Sequence, residues 1–217
     1  MDPHRATPKF ERPPKIDSEV GDSRDMTLAE NLLVLQWNQL NHDERYHKEI
    51  VRLSVADRMK HFALHMAKYV GYFAEAIDSE DSALFERTLV DALIISLASA
   101  NTLNLSLGHS LSCQVGSEAG SLTALRLKLA RELFPAGADA IRFLMQLARR
   151  SSRLAKACES LDHVEDHPFR ETMVSSIVDI FTLLLAETSV LDIDPVEKVK
   201  SRVQNIEPKS IFHRFYL

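Results

Sequence analysis

Cysteine is nearly missing from this chain: Cys113 and Cys158 are the only two among 217 residues. Two thiols in no CxxC or zinc-knuckle spacing exclude a disulfide framework and a cysteine-based metal module, and they point to a reducing compartment. Glycine and proline are scarce as well, with 6 and 8 copies, which excludes low-complexity architectures and leaves helix as the element least interrupted. There is no basic excess. Twenty-six Lys and Arg face 31 Asp and Glu, for a net charge of −5 and a pI near 6.0, so the chain has no surplus to neutralise phosphate backbones and general nucleic-acid binding is excluded. Long hydrophobic runs are also lacking. The longest apolar stretch, Leu89–Ala100, is broken by Asp91 and Ser96 and is too short to cross a bilayer, and no apolar segment near the start reads as a signal peptide. The expectation is a cytoplasmic protein with no membrane partner, acting on small molecules or other proteins. A Gly-rich phosphate loop, a nucleophile elbow and a Ser/His/Asp set are all absent.

What is present is helical. With 45% hydrophobic and 26% charged residues the chain can bury a sizeable core. Residues 1–25 hold four of the eight prolines, many charges and few apolar side chains, so they cannot offset the entropy of ordering and read as a flexible arm. From Met26 the spacing turns helical, with Leu28, Leu32, Leu35 and Leu40 on one face and Trp37 nearby, until "NQLNHDER" loosens it. Ser54, with Asp57 three residues on, opens a second helix whose stripe is Met59, Phe62, Met66, Val70, Phe73 and Ile77. A third, "SALFERTLVDALIISLASANTLNL", is apolar nearly all round and belongs in the middle of a bundle. The Ser- and Gly-rich "SLGHSLSCQVGSEAGS" reads as a loop or a frayed short helix, with the linker proper at 108–120.

After the linker the order repeats. "HMAKYVGYFAEAIDS" at 65–79 lies over "QLARRSSRLAKACES" at 146–160 without a gap, pairing Ala67 with Ala148, Phe73 with Leu154, Ala76 with Ala157 and Asp78 with Glu159. On the same offset Phe62 meets Phe143, and in the next helix Leu89-Val90-Asp91 lies on Ile177-Val178-Asp179. The reading is two tandem units, 26–107 and 121–210, followed by a tail at 211–217. Asp194 and Pro195 open a short helix that closes the second unit.

Asp91 and Asp179 sit among apolar neighbours, where a lone carboxylate costs several kcal/mol or takes up a proton. Each requires compensation: a metal shared with other acids, a protein cation, or a polar seam with a water or Ser partner. The segments "GYFAEAID", "LVDALIISLASANTLNL" and "VLDIDPVEKVKSRVQN" resemble the MazG-like, all-α nucleoside triphosphate pyrophosphohydrolase superfamily, which includes dimeric dUTPases and dCTP pyrophosphatases. That resemblance spans most of 26–210. It implies an all-α fold in which two tandem MazG-like units form a pseudo-dimeric antiparallel helix bundle within one chain.

In the superfamily, E-E-x-x-E on one helix and E-x-x-D on the next hold Mg²⁺ on the phosphates. Here those places are Lys68, Tyr69, Tyr72, Thr88 and Asp91 in the first unit, and Arg149, Arg150, Arg153, Ser176 and Asp179 in the second. Only the aspartates match, and Arg offers donors where Mg²⁺ needs carboxylate oxygens. The resemblance therefore implies buried ion pairs in place of the metal, Lys68 with Asp91 and Arg149 or Arg153 with Asp179. The expected function is a non-catalytic ligand-binding or protein-interaction member with no cofactor, whose pairing into a larger homo-oligomer stays open. The alternative is a working pyrophosphohydrolase using Mg²⁺ or Mn²⁺, with acids drawn from Glu75, Asp78, Glu86, Asp91 and Asp179.

Three further sets carry chemistry. His61 and His65, spaced i, i+4, could offer two imidazoles to a transition metal, although Lys68 on the same face disfavours it. "NHDE" at 41–44 contains a His-Asp pair like that of helical phosphohydrolases, set at a helix end without the rest of that pattern. Arg149, Arg150, Arg153 and Lys156, joined by Lys198, Lys200 and Arg202, could form an anion site for a nucleotide or phosphate; the competing reading is a solvated charged face.

Overall fold

Thr27 caps the first helix by a reciprocal box: its hydroxyl accepts from the Glu30 N–H while the Glu30 carboxylate accepts from the Thr27 N–H. The computed structural model describes residues 27–115, 120–135, 139–211 and 213–215. The expected arm at 1–25 and the middle of the expected linker lie outside them. The order is α1 (Leu28–Tyr46), α2 (Lys48–Val51), α3 (Val55–Asp78), α4 (Ser82–Thr102), α5 (Leu107–Val115), α6 (Leu122–Leu133), α7 (Ala140–Asp162), α8 (Phe169–Val190) and α9 (Pro195–Ile206), followed by two single-turn 3₁₀ segments. The fold is all-α, and no strand occurs among the described residues.

Two expectations on element limits change. Helix α1 does not loosen at "NQLNHDER" but runs through it to Tyr46, because Leu35, Gln36, Gln39 and His42 all turn one face inward. The Ser- and Gly-rich stretch holds the nine-residue helix α5, one of its two readings, because α5 has a surface to pack on. A Cβ added at Gly108 would lie 2.8 Å from the Ala29 Cα, so glycine there lets α5 approach the α1 backbone. Other caps follow the sequence: Ser54 accepts from the Asp57 N–H, and Asp194 from the N–H groups of Val196 and Glu197.

Helices α4 and α8 form the centre. Helix α3 packs on α4 and α7 on α8; α3 meets α7, and α4 meets α8. Around them α1 packs on α4 and α6 on α8, while α9 lies against α4 and α5 against α8. Phe73, Phe85 and Phe143, from α3, α4 and α7, cluster where the halves meet, with ring centroids 4.8 to 5.6 Å apart. Within the expected α3 stripe, Met59, Phe62, Met66 and Phe73 are buried, and Val70 and Ile77 pack partly buried against the core. By length and composition α8 could cross a membrane, but most of it is buried inside this bundle.

Candidate functional site

Between the C-terminal end of α1, the short α2, the first half of α3, and helices α4 and α9 lies a cavity of about 350 Å³. Asp91 stands on its α4 wall and is answered by Arg202 of α9. The guanidinium donates through Nε to Oδ1 at 2.7 Å and through Nη2 to Oδ2 at 2.9 Å, a bidentate fork that uses both carboxylate oxygens. Asp91 holds the Arg202 guanidinium charged by that hydrogen bond.

This corrects the expected Lys68–Asp91 pair. Lys68 lies exposed on α3, its ammonium 3.1 Å from His65 Nδ1 and 4.7 Å from the Tyr69 ring centroid. Helix α9, 111 residues on in sequence from Asp91, delivers the cation instead. Burial is corrected too: the Asp91 side chain is 24% exposed and Asp179 37%, since each lies at the helix edge where another helix brings an arginine. Asp179 pairs with Arg153 of α7 at 2.5 Å, a solvent-screened contact contributing at most about 1 kcal/mol. Arg149 is exposed.

The other expected residues are dispersed. Glu75 and Asp78 are exposed on α3, and Glu86 pairs with Lys198. The hydroxyls in the first E-x-x-D places are buried: Thr88 donates to the Leu84 carbonyl, and Ser176 Oγ has no hydrogen-bond partner. Among the basic residues proposed for an anion site, Arg150 donates to Gln146, Arg153 faces Asp179, Lys198 faces Glu86 and Arg202 faces Asp91. Each of these four is committed to its own partner.

The cavity gathers residues that sequence reasoning treated separately or set aside. His61 and His65 line it, their rings 4.6 Å apart and edge to face. His65 Nδ1 lies 3.3 Å from the Tyr69 hydroxyl. Burial, then the Lys68 charge, pushes His65 down to about 4, so it stays neutral at pH 7; burial also lowers His61 and raises the Tyr69 phenol. On the facing wall stand His42 and Asp43 of α1 and His47, its C-cap. Their ligand atoms all lie within 4.8 Å of one another, and no other such set of three His, Cys, Asp or Glu occurs among the described residues. Burial is the main cause that lowers His42 and that raises Asp43 to about 6. Asp43 accepts from Gln39 Nε2 at 2.8 Å.

The readable signal for this wall was the "HDERYH" stretch itself, but on a straight helix residues five apart do not share a face. No family model, curated protein or solved structure matches this chain.

Proposed function

We propose that this chain is a non-catalytic, MazG-like ligand-binding protein whose two degenerate units are fused into an intrachain pseudo-dimer, and whose binding site is the α1–α3–α4–α9 cavity. The observation that carries this reading is the bidentate Arg202–Asp91 pair. The aspartate that would hold Mg²⁺ in the resemblance is already neutralised by a fixed guanidinium, and breaking that pair from one side leaves an uncompensated charge.

Reciprocal packing supports the fused pseudo-dimer. Helix α9 of the second unit covers α4 of the first, and α5, which begins where the first unit ends, lies on α8 of the second. The registers agree in detail: Gln36 of α1 donates to the Leu105 carbonyl, and Arg126 of α6 to the Ile193 carbonyl, each just past a central helix. The cavity volume suits a small molecule. Its imidazoles, Tyr69 and Arg58 offer a ring-stacking and hydrogen-bonding surface for a nucleotide-sized, anionic ligand.

The test is pyrophosphate release from a panel of canonical and modified nucleoside triphosphates with Mg²⁺ or Mn²⁺, run beside nucleotide-dependent thermal shifts in EDTA. The expected result is no turnover, with a rise in melting temperature for at least one nucleotide that Tyr69→Ala abolishes. Turnover lost in EDTA and in a folded Asp91→Asn variant would instead make the protein a pyrophosphohydrolase with rearranged acids.

A further inference from the structure

We propose that His42, Asp43 and His47 form a binding site for one divalent transition-metal ion of the zinc class. The inference concerns the wall facing Asp91 and stands independently of the nucleotide reading above.

His42 is the first reason. Its side chain is 3% exposed, and its Nε2 is buried without a hydrogen-bond partner, while Nδ1 has only the Glu207 carboxylate, 3.5 Å away. A buried polar group left unpaired costs free energy, and such groups in folded proteins are met by a protein group, water or an ion. His42 also lines a second cavity, of about 450 Å³.

Donor chemistry is the second. Two imidazoles and one carboxylate match Zn²⁺, Co²⁺ or Fe²⁺ far better than Mg²⁺, which takes oxygen almost alone. Three protein donors leave at least one coordination position open, as in sites that bind an exogenous ligand. A tetrahedral centre with bonds of ~2.1 Å sets its donors about 3.4 Å apart. Closing the present 4.8 Å spread takes side-chain rotation rather than helix movement. His47 can supply it, since its side chain is 44% exposed and it sits at a helix end.

The surroundings are the third. Glu207 Oε1 lies 3.5 Å from His42 Nδ1, and Glu49 Oε1 lies 3.6 Å from His47 Nδ1. Both separations exceed a hydrogen bond, but each places a carboxylate at the nitrogen that would orient the ring and leave Nε2 for a metal.

The experiment is titration of chelator-stripped, tag-free full-length protein with Co²⁺, followed by visible d–d absorption, with Zn²⁺ as competitor. Expected is a band saturating at one equivalent and displaced by Zn²⁺. His47→Ala and Asp43→Asn, with folding verified by circular dichroism, should each weaken binding at least tenfold, Glu207→Gln about tenfold, and the double variant His61→Ala/His65→Ala should bind as the parent does. A folded parent with no band, or a band kept in His47→Ala and lost in the His61/His65 variant, overturns the proposal. Because the nucleotide shifts are measured in EDTA, either result can fail without the other.

Discussion

Glu187 shows how a single residue sets a pH response. It lies on α8, 4% exposed, and one carboxylate oxygen has no hydrogen-bond partner; burial alone raises its carboxyl to about 7. The charged groups sharing its cavity are Glu80 and Asp81, both acidic, and Asp81 is occupied capping α4. The folded protein therefore holds this proton more tightly than the unfolded chain, whose glutamates titrate at about 4.3. Stability falls as pH rises from about 4.3 to about 7, and the loss is complete above that. Glu187→Gln should remove it, so that the variant gains up to ~3 kcal/mol over the parent across this window, read as the difference between two urea-unfolding series against pH. A flat difference would place the Glu187 proton elsewhere. His65, neutral and half-buried in the main cavity, acts oppositely below its ordinary range, which is why the difference between proteins, and not either curve alone, is the measurement. Gln36 illustrates the opposite case of a satisfied buried polar group. It donates to Asn101 Oδ1 and the Leu105 carbonyl and accepts from the Leu107 N–H, tying the end of α4 to the start of α5.

Among the helices, four share one way of stopping. Helices α3, α4, α7 and α8 are each followed by a residue in the left-handed region: Glu80, Asn104, Val164 and Asp192, with φ of 54°, 51°, 55° and 52°. In each case the next N–H returns to a carbonyl in the last turn, Asp81 to Ala76, Leu105 to Ala100, Glu165 to Ser160 and Ile193 to Thr188, the Schellman arrangement that reverses the chain. Asparagine and aspartate tolerate this conformation; a β-branched valine does not. Val164 is 90% exposed, so its side chain contributes no packing there. Val164→Gly is expected to stabilise the protein by about 1 kcal/mol, seen as a higher denaturation midpoint at unchanged m-value; a lower midpoint would mean the valine makes a contact that outweighs its backbone strain. The two aspartates also differ in what meets them. In the register that lays Asp91 on Asp179, Gln114 falls under Arg202. Asp179 has no arginine at the place from which α9 supplies one to Asp91, and it is met from α7 by Arg153.

For the whole molecule, the question is whether the halves stand alone. Helices α4 and α8 are apolar nearly all round, and each is covered by helices from both units. Neither half can bury its central helix by itself. Phe143, fully buried against Phe73 and Phe85, sits at the join, and Phe143→Ala should cost about 3–5 kcal/mol. Unfolding followed by circular dichroism and by the fluorescence of the single Trp37 on α1 should move together in both proteins, the variant at lower denaturant. Separate transitions would show that the units fold as independent bodies.

The sequence by itself determined the helical class, the caps at Ser54 and Asp194, and the central place of the apolar helix α4. These follow from local periodicity and capping chemistry, which neighbouring residues decide. Tertiary structure alone decided which cation meets Asp91 and which residues share a cavity. Arg202 reaches Asp91 only because α9 folds back across α4, a contact no local pattern encodes. His42, Asp43 and His47 meet only because α1 extends to Tyr46 and its C-cap turns His47 back toward the cavity that α3, α4 and α9 close. Distances between residues far apart in sequence depend on how helices pack, and packing is a property of the assembled bundle.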